Sequence, residues 1–82
     1  MSDVRDVRLK KIIEAIERYL LEHPAAADNE FGIAEWWLPE IAVTANSDEV
    51  SEALSILVAK GVVEKLAVSD NRYIWRAVRG KR

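Results

Sequence analysis

Cysteine is absent from this chain, which excludes disulfides, thiolate metal sites and thiol chemistry. Histidine occurs once, as His23 beside Pro24. One histidine without cysteine cannot build a His/Cys metal site, and nothing groups it with a serine and an acid for nucleophilic catalysis. At a helix end its charge has an ordinary explanation in the helix dipole. Glycine is scarce as well. Gly32, Gly61 and Gly80 are isolated, so no glycine-rich phosphate loop exists. No apolar run is long enough to span a membrane. The segment from Met1 to Arg8 mixes acids with bases and leads into no apolar signal core, so the expected location is the cytoplasm. Internal repeats and low-complexity tracts are missing too. These absences lead us to expect no enzyme, no metal, no cofactor, no small-molecule substrate and no membrane partner.

What remains is a chain of 82 residues, half of them hydrophobic and about a third charged. That is too apolar for a disordered tail. The length allows one small domain over 1–82, with an ordered core of about 5–78 and a basic tail at 79–82. A chain this short buries only about 60% of its unfolded surface, so its stability is marginal.

The net charge of −2 conceals a strong asymmetry. Residues 1–23 are balanced. Residues 24–59 carry Asp28, Glu30, Glu35, Glu40, Asp48, Glu49 and Glu52 and no base. Residues 60–82 carry Lys60, Lys65, Arg72, Arg76, Arg79, Lys81 and Arg82 against only Glu64 and Asp70. An acidic middle and a basic last third constrain any binding mechanism.

The hydrophobic period locates the elements. Leu9, Ile12, Ile13, Ile16 and Leu20 recur at three- and four-residue steps, which predicts a first helix, capped by Asp3 and ended at His23-Pro24. Asp6–Lys10, Glu14–Arg18 and Arg18–Glu22 are i,i+4 pairs on its wet faces. Residues 24–30 read as a connection. Asp28 or Asn29 then caps a short helix over 30–36, which Pro39 is expected to stop, with Trp37-Leu38 extended or in a one-bridge strand. Pro39 suits the first position of a new short helix, with Glu40 in its first turn. The clearest helix runs over 47–60. Asn46 and Glu49 form a capping box, Val50, Ala53, Leu54, Leu57 and Val58 form the apolar stripe, and Gly61 stands where a left-handed cap is needed. Branched and aromatic residues at 62–68 and 72–78 flank the turn residues Ser69, Asp70 and Asn71, which predicts an antiparallel hairpin. Tyr73, Trp75 and Ala77 share one face of its second strand. The expected core is Leu9, Ile12, Ile13, Ile16, Leu20, Ile41, Val50, Leu54, Leu57, Val63, Tyr73 and Trp75.

Two short helical elements joined by the link TAN (44–46) read as a helix-turn-helix. The stretch PEIAVTANSDEVSEALSILVAKGVVEKL followed by NRYIWRAV resembles the winged-helix superfamily. The likeness lies in Ile41-Ala42, in Leu54 and Leu57, and in Gly61-Val62-Val63-Glu64 leading into the hairpin. It covers roughly residues 9–78. It implies an α+β domain of three to four helices followed by a two-stranded antiparallel wing. Many members of that superfamily bind DNA through the second helix of the motif, and others serve as protein-interaction or assembly modules.

The residues at the start of that second helix depart from the DNA-binding pattern. They are Ser47, Asp48, Glu49, Ser51 and Glu52, with no lysine or arginine between Arg18 and Lys60. Phosphates repel these carboxylates, and there is no counterion release to supply affinity. We read them as a solvated first turn rather than a Mg²⁺ or Ca²⁺ site. The expected function is therefore a non-enzymatic interaction module. Its acidic face of Glu40, Asp48, Glu49 and Glu52 would meet a protein with a basic surface, or another copy of the chain. Trp36 or Trp37 would anchor that contact: adjacent residues cannot both face inward, and which of them is exposed stays open. Phe31 and Ile33 could join the same patch. The alternative is a small DNA-binding regulator using Lys65, Arg72, Arg76, Arg79, Lys81 and Arg82 on the wing and tail, interleaved with Tyr73 and Trp75. In that case Arg5, Arg8, Lys10 and Lys11 would add phosphate contacts.

Overall fold

The structure is a computed structural model that describes residues 4–40 (the backbone alone at Glu40) and 44–78. Three helices and a three-stranded antiparallel sheet make an α+β domain. Helix α1 spans Val4–Glu22 and buries Ile12, Ala15, Ile16 and Leu20 along one stripe. Leu9 and Ile13 flank that stripe half-buried. Of the expected i,i+4 pairs, Arg18–Glu22 closes at 3.9 Å.

Strand β1, Ala27–Asp28, follows within the segment that reads as a bare connection. Two residues carry no periodicity, so only the pairing reveals the strand: Ala27 lies opposite Arg76 and Asp28 opposite Trp75. The sheet order is β1-β3-β2, where β2 is Val63–Ser69 and β3 is Arg72–Ala77. The expected two-stranded hairpin is thus part of a three-stranded sheet. At its turn Asn71 takes a φ of 61°, a left-handed conformation that asparagine tolerates better than most residues.

Helix α2 runs over 30–40 in three abutting pieces: Glu30–Gly32, a π-turn at Ile33–Trp37, and Leu38–Glu40. Asn29 caps it by accepting from the Gly32 N–H. This corrects the expectation that Pro39 ends one helix and starts another. Proline removes a helical N–H and crowds the carbonyl four residues back, which breaks a regular α-helix. Here the turn before it is widened, with the Leu38 N–H donating to the Ile33 carbonyl, and the helix carries past the proline. The wider step also lets Ile33, Trp37 and Leu38 all reach the core, at 0, 3 and 0% exposure. Trp37-Leu38 is therefore helical and buried rather than extended. Ile41, expected in the core, and the body of the helix expected after Pro39 fall at 41–43, outside the described residues. Asp3 lies outside them too.

Helix α3, Ser47–Ala59, has its expected start and stop. The Asn46 side chain accepts from the Glu49 N–H at 2.9 Å, and Glu49 accepts from the Asn46 N–H at 3.0 Å. At the other end Gly61 has a φ of 78°, its N–H donates to the Val58 carbonyl, and Val62 donates to Leu57. That pair of bonds is a Schellman motif. Val50, Ala53, Leu54 and Leu57 are buried, whereas Val58 is exposed. Helix α1 packs on α3 and on the end of α2, and α3 packs on β2. The core side of the sheet fades toward the hairpin tip. Val63 and Trp75 are buried, but Tyr73, expected in the core, is 42% exposed because the hairpin extends past the helices. Among the described residues no charged or polar residue is buried.

Candidate functional site

The first candidate surface is the acidic start of α3. Glu49 is set there by its capping box, and α1 crosses close enough for Arg8 to meet it. The Arg8 guanidinium grips the Glu49 carboxylate as a fork, Nε to Oε2 at 2.7 Å and Nη2 to Oε1 at 2.8 Å. The same Nη2 reaches the Thr44 carbonyl at 3.4 Å. Bidentate pairs of this kind are the strong form of the ion pair. Arg8 and the Asn46 N–H together hold the Glu49 carboxyl down from 4.5 to about 2, and Glu49 raises Arg8 in turn. One α-helical turn away, Arg5 meets Glu52 at 3.4 Å, a looser and more exposed contact. Asp48 stays exposed. Of the four acids read as partner-facing, Glu49 and Glu52 are thus answered from within the chain. A shallow cleft of about 110 Å³ between Arg5, Leu9 and these acids remains.

The second surface is the outward side of α2. Trp36 and Phe31 are each 69% exposed, and Glu35 is exposed beside Trp36. Trp37 points the other way and stacks on Tyr19 at 4.8 Å between ring centroids, with the planes 10° apart. Tyr19 in turn lies against His23 at 4.3 Å. Of the two tryptophans offered as anchors, only Trp36 stands at the surface. Trp37 is a core residue. The Glu40 side chain lies outside what the structure describes, and Ile33 is fully buried.

The third surface is the basic hairpin. Its bases do not gather into one patch. Lys65 lies across the Tyr73 ring at 4.3 Å and the Trp75 ring at 5.6 Å, on the core face of the sheet. Arg76, on the opposite face, is bound to Glu64 directly across the hairpin at 2.7 Å. Arg72 is exposed and has no ion partner among the described residues. Arg79, Lys81 and Arg82 lie outside the described residues. An open groove of about 590 Å³ runs beside this hairpin, between the start of α2 and the outer edge of β3. Among the described residues no group of three or more His, Asp or Glu side chains is placed to hold a metal ion. No helix among them is long and apolar enough to cross a membrane.

Sequence reasoning missed the α1–α3 ion pairs, whose partners are 41 and 47 positions apart. A faint signal does exist. Arg5 and Arg8 share the three-residue spacing of Glu49 and Glu52, so antiparallel helices can mate them in order. No family model matches this chain, and neither does any curated protein or solved structure.

Proposed function

We propose that this chain is a non-enzymatic protein-interaction module on a winged-helix scaffold, which docks a partner with a basic surface through Trp36 and the acids around it. The scaffold reading is supported by the element order: a helix, a short strand, two further helices, and a hairpin whose second strand takes up the short strand. The observation that carries the interaction reading is the mutual engagement of the charges. Arg5 and Arg8, which a DNA-binding reading needs for phosphates, are committed to Glu52 and Glu49. Arg76 is committed to Glu64, and Lys65 lies over its two aromatic neighbours. Phosphate binding at these four bases would have to break these contacts, which leaves Lys10, Lys11 and Arg72 as exposed bases without an ion partner among the described residues. Trp36 and Phe31 stay exposed on a helix that carries no base, which suits a partner bringing lysine or arginine around an apolar pocket.

The partner is another protein or a second copy of the chain. Light scattering across a protein-concentration and salt series tests the second copy. Affinity capture from the native host, run with the chain and with Trp36→Ala, tests the first. The reading expects a stoichiometric complex or a dimer that Trp36→Ala loses while its unfolding curve is unchanged. A chain that stays monomeric and yields no Trp36-dependent complex contradicts it.

A further inference from the structure

The outer edge of β3 is only partly used. Strand β1 covers Arg76 and Trp75 and then stops, because Asn29 caps α2 and turns the chain away. On its other side β3 is paired with β2 along its whole length. Arg72, Tyr73 and Ile74 therefore have no strand on the β1 side among the described residues. That edge is about 10 Å long at the usual strand rise. It faces the groove of about 590 Å³, whose other wall is Asn29, Glu30 and Phe31.

Two features specify what fits there. The first is the backbone. An unpaired strand edge presents a row of N–H and C=O groups, and an extended backbone is the ligand that satisfies them. The second is charge. Glu30 stands by the Trp75 end of the groove and Arg72 at the hairpin-turn end, and neither has an ion partner among the described residues. Between them Phe31 and Tyr73 supply exposed apolar surface, and Val68 of β2 adds to the lining of the groove. A strand continuing the line of β1 runs antiparallel to β3, so its first residue meets Glu30 and its last meets Arg72.

We propose that this groove takes an extended segment of a partner protein as a fourth strand, antiparallel to β3, with a basic residue at Glu30 and an acidic residue at Arg72. The proposal rests on the interaction-module reading and shares Phe31 with that surface but does not use Trp36, so Trp36→Ala tells the two apart.

The test is hydrogen exchange and NMR shift mapping on the full chain. The probe is a pooled library of acetylated, amidated tetrapeptides, about 10 Å from first residue to last when extended, with lysine first, glutamate last and Val, Ile, Thr, Tyr or Phe between. Exchange at the edge amides of residues 72–74 should slow by about tenfold or more, with shifts confined to 28–31 and 68–75. A library with the end charges reversed should bind about tenfold more weakly, and Glu30→Lys with Arg72→Glu should invert that preference. Phe31→Ala should weaken binding by about tenfold with unfolding unchanged, and Trp36→Ala should leave it intact. N-methylation of alternate amides in a selected peptide should abolish binding. The proposal is overturned if no pool slows exchange at 72–74, or if the N-methylated peptide binds equally well, which would mean an apolar patch only. It is also overturned if those amides are protected in the free chain in a concentration-dependent way, which would mean a second copy occupies the edge.

Discussion

The Glu49 carboxylate serves the Asn46 capping box and the Arg8 fork at once. Because both interactions favour its charged form, the contribution it makes is present at neutral pH and above about 4.5, and is lost as pH falls toward about 2. Acid unfolding should therefore show a loss of stability in that window, and Glu49→Gln should flatten it. Urea melts across pH check this. Asn46→Ala removes the cap itself and should cost about 1 kcal/mol. Gly32 and Gly61 should respond to alanine for different reasons. At Gly61 nothing crowds the new Cβ, and the left-handed φ of 78° alone should cost about 1 kcal/mol. At Gly32 the backbone is ordinary right-handed helix, and a Cβ would meet only the Asp28 carboxylate, which can swing aside at the cost of its bond to the Asn29 N–H. Gly32→Ala should therefore be the milder change, and Asp28→Ala should relieve what cost there is in paired thermal melts.

At the scale of elements, the two tryptophans of α2 separate the core from the surface. Trp37→Ala should cost about 3–5 kcal/mol and unfold much of so small a domain, whereas Trp36→Ala should stay within about 0.5 kcal/mol of the parent. Denaturant midpoints measure both. This division was only half legible. Helix α3 could be read from the sequence because its signals are local: a capping box, an uninterrupted apolar stripe and a glycine where the left-handed cap falls. Helix α2 could not, because the sequence shows Pro39 but not the π-turn that carries the helix past it. That turn also brings Ile33, Trp37 and Leu38 inward at spacings an α-helical template does not collect. Strand β1 was invisible because two residues have no period and exist as a strand only against β3. Tyr73 was misplaced because alternation gives the face of a strand but not how far the hairpin reaches past the helices.

At the scale of the molecule, the sequence is electrically lopsided, yet the fold brings opposite charges together. The N-terminal end of α1 returns Arg5 and Arg8 to the acidic start of α3, and β3 returns Arg76 to Glu64. The looser, exposed Arg5–Glu52 pair contributes little to stability, so Glu52→Gln should leave the fold's stability nearly unchanged, in contrast to Glu49→Gln. These ion pairs also occupy Arg5, Arg8 and Arg76, three of the bases that the DNA-binding alternative would use, while Arg72 keeps no ion partner among the described residues. An anisotropy titration of a labelled random-sequence DNA duplex at low salt tests this most directly. The intact chain should leave the duplex unbound at micromolar concentrations, with or without Arg72→Glu. Tight binding that falls steeply with added salt and disappears in Arg72→Glu would contradict it.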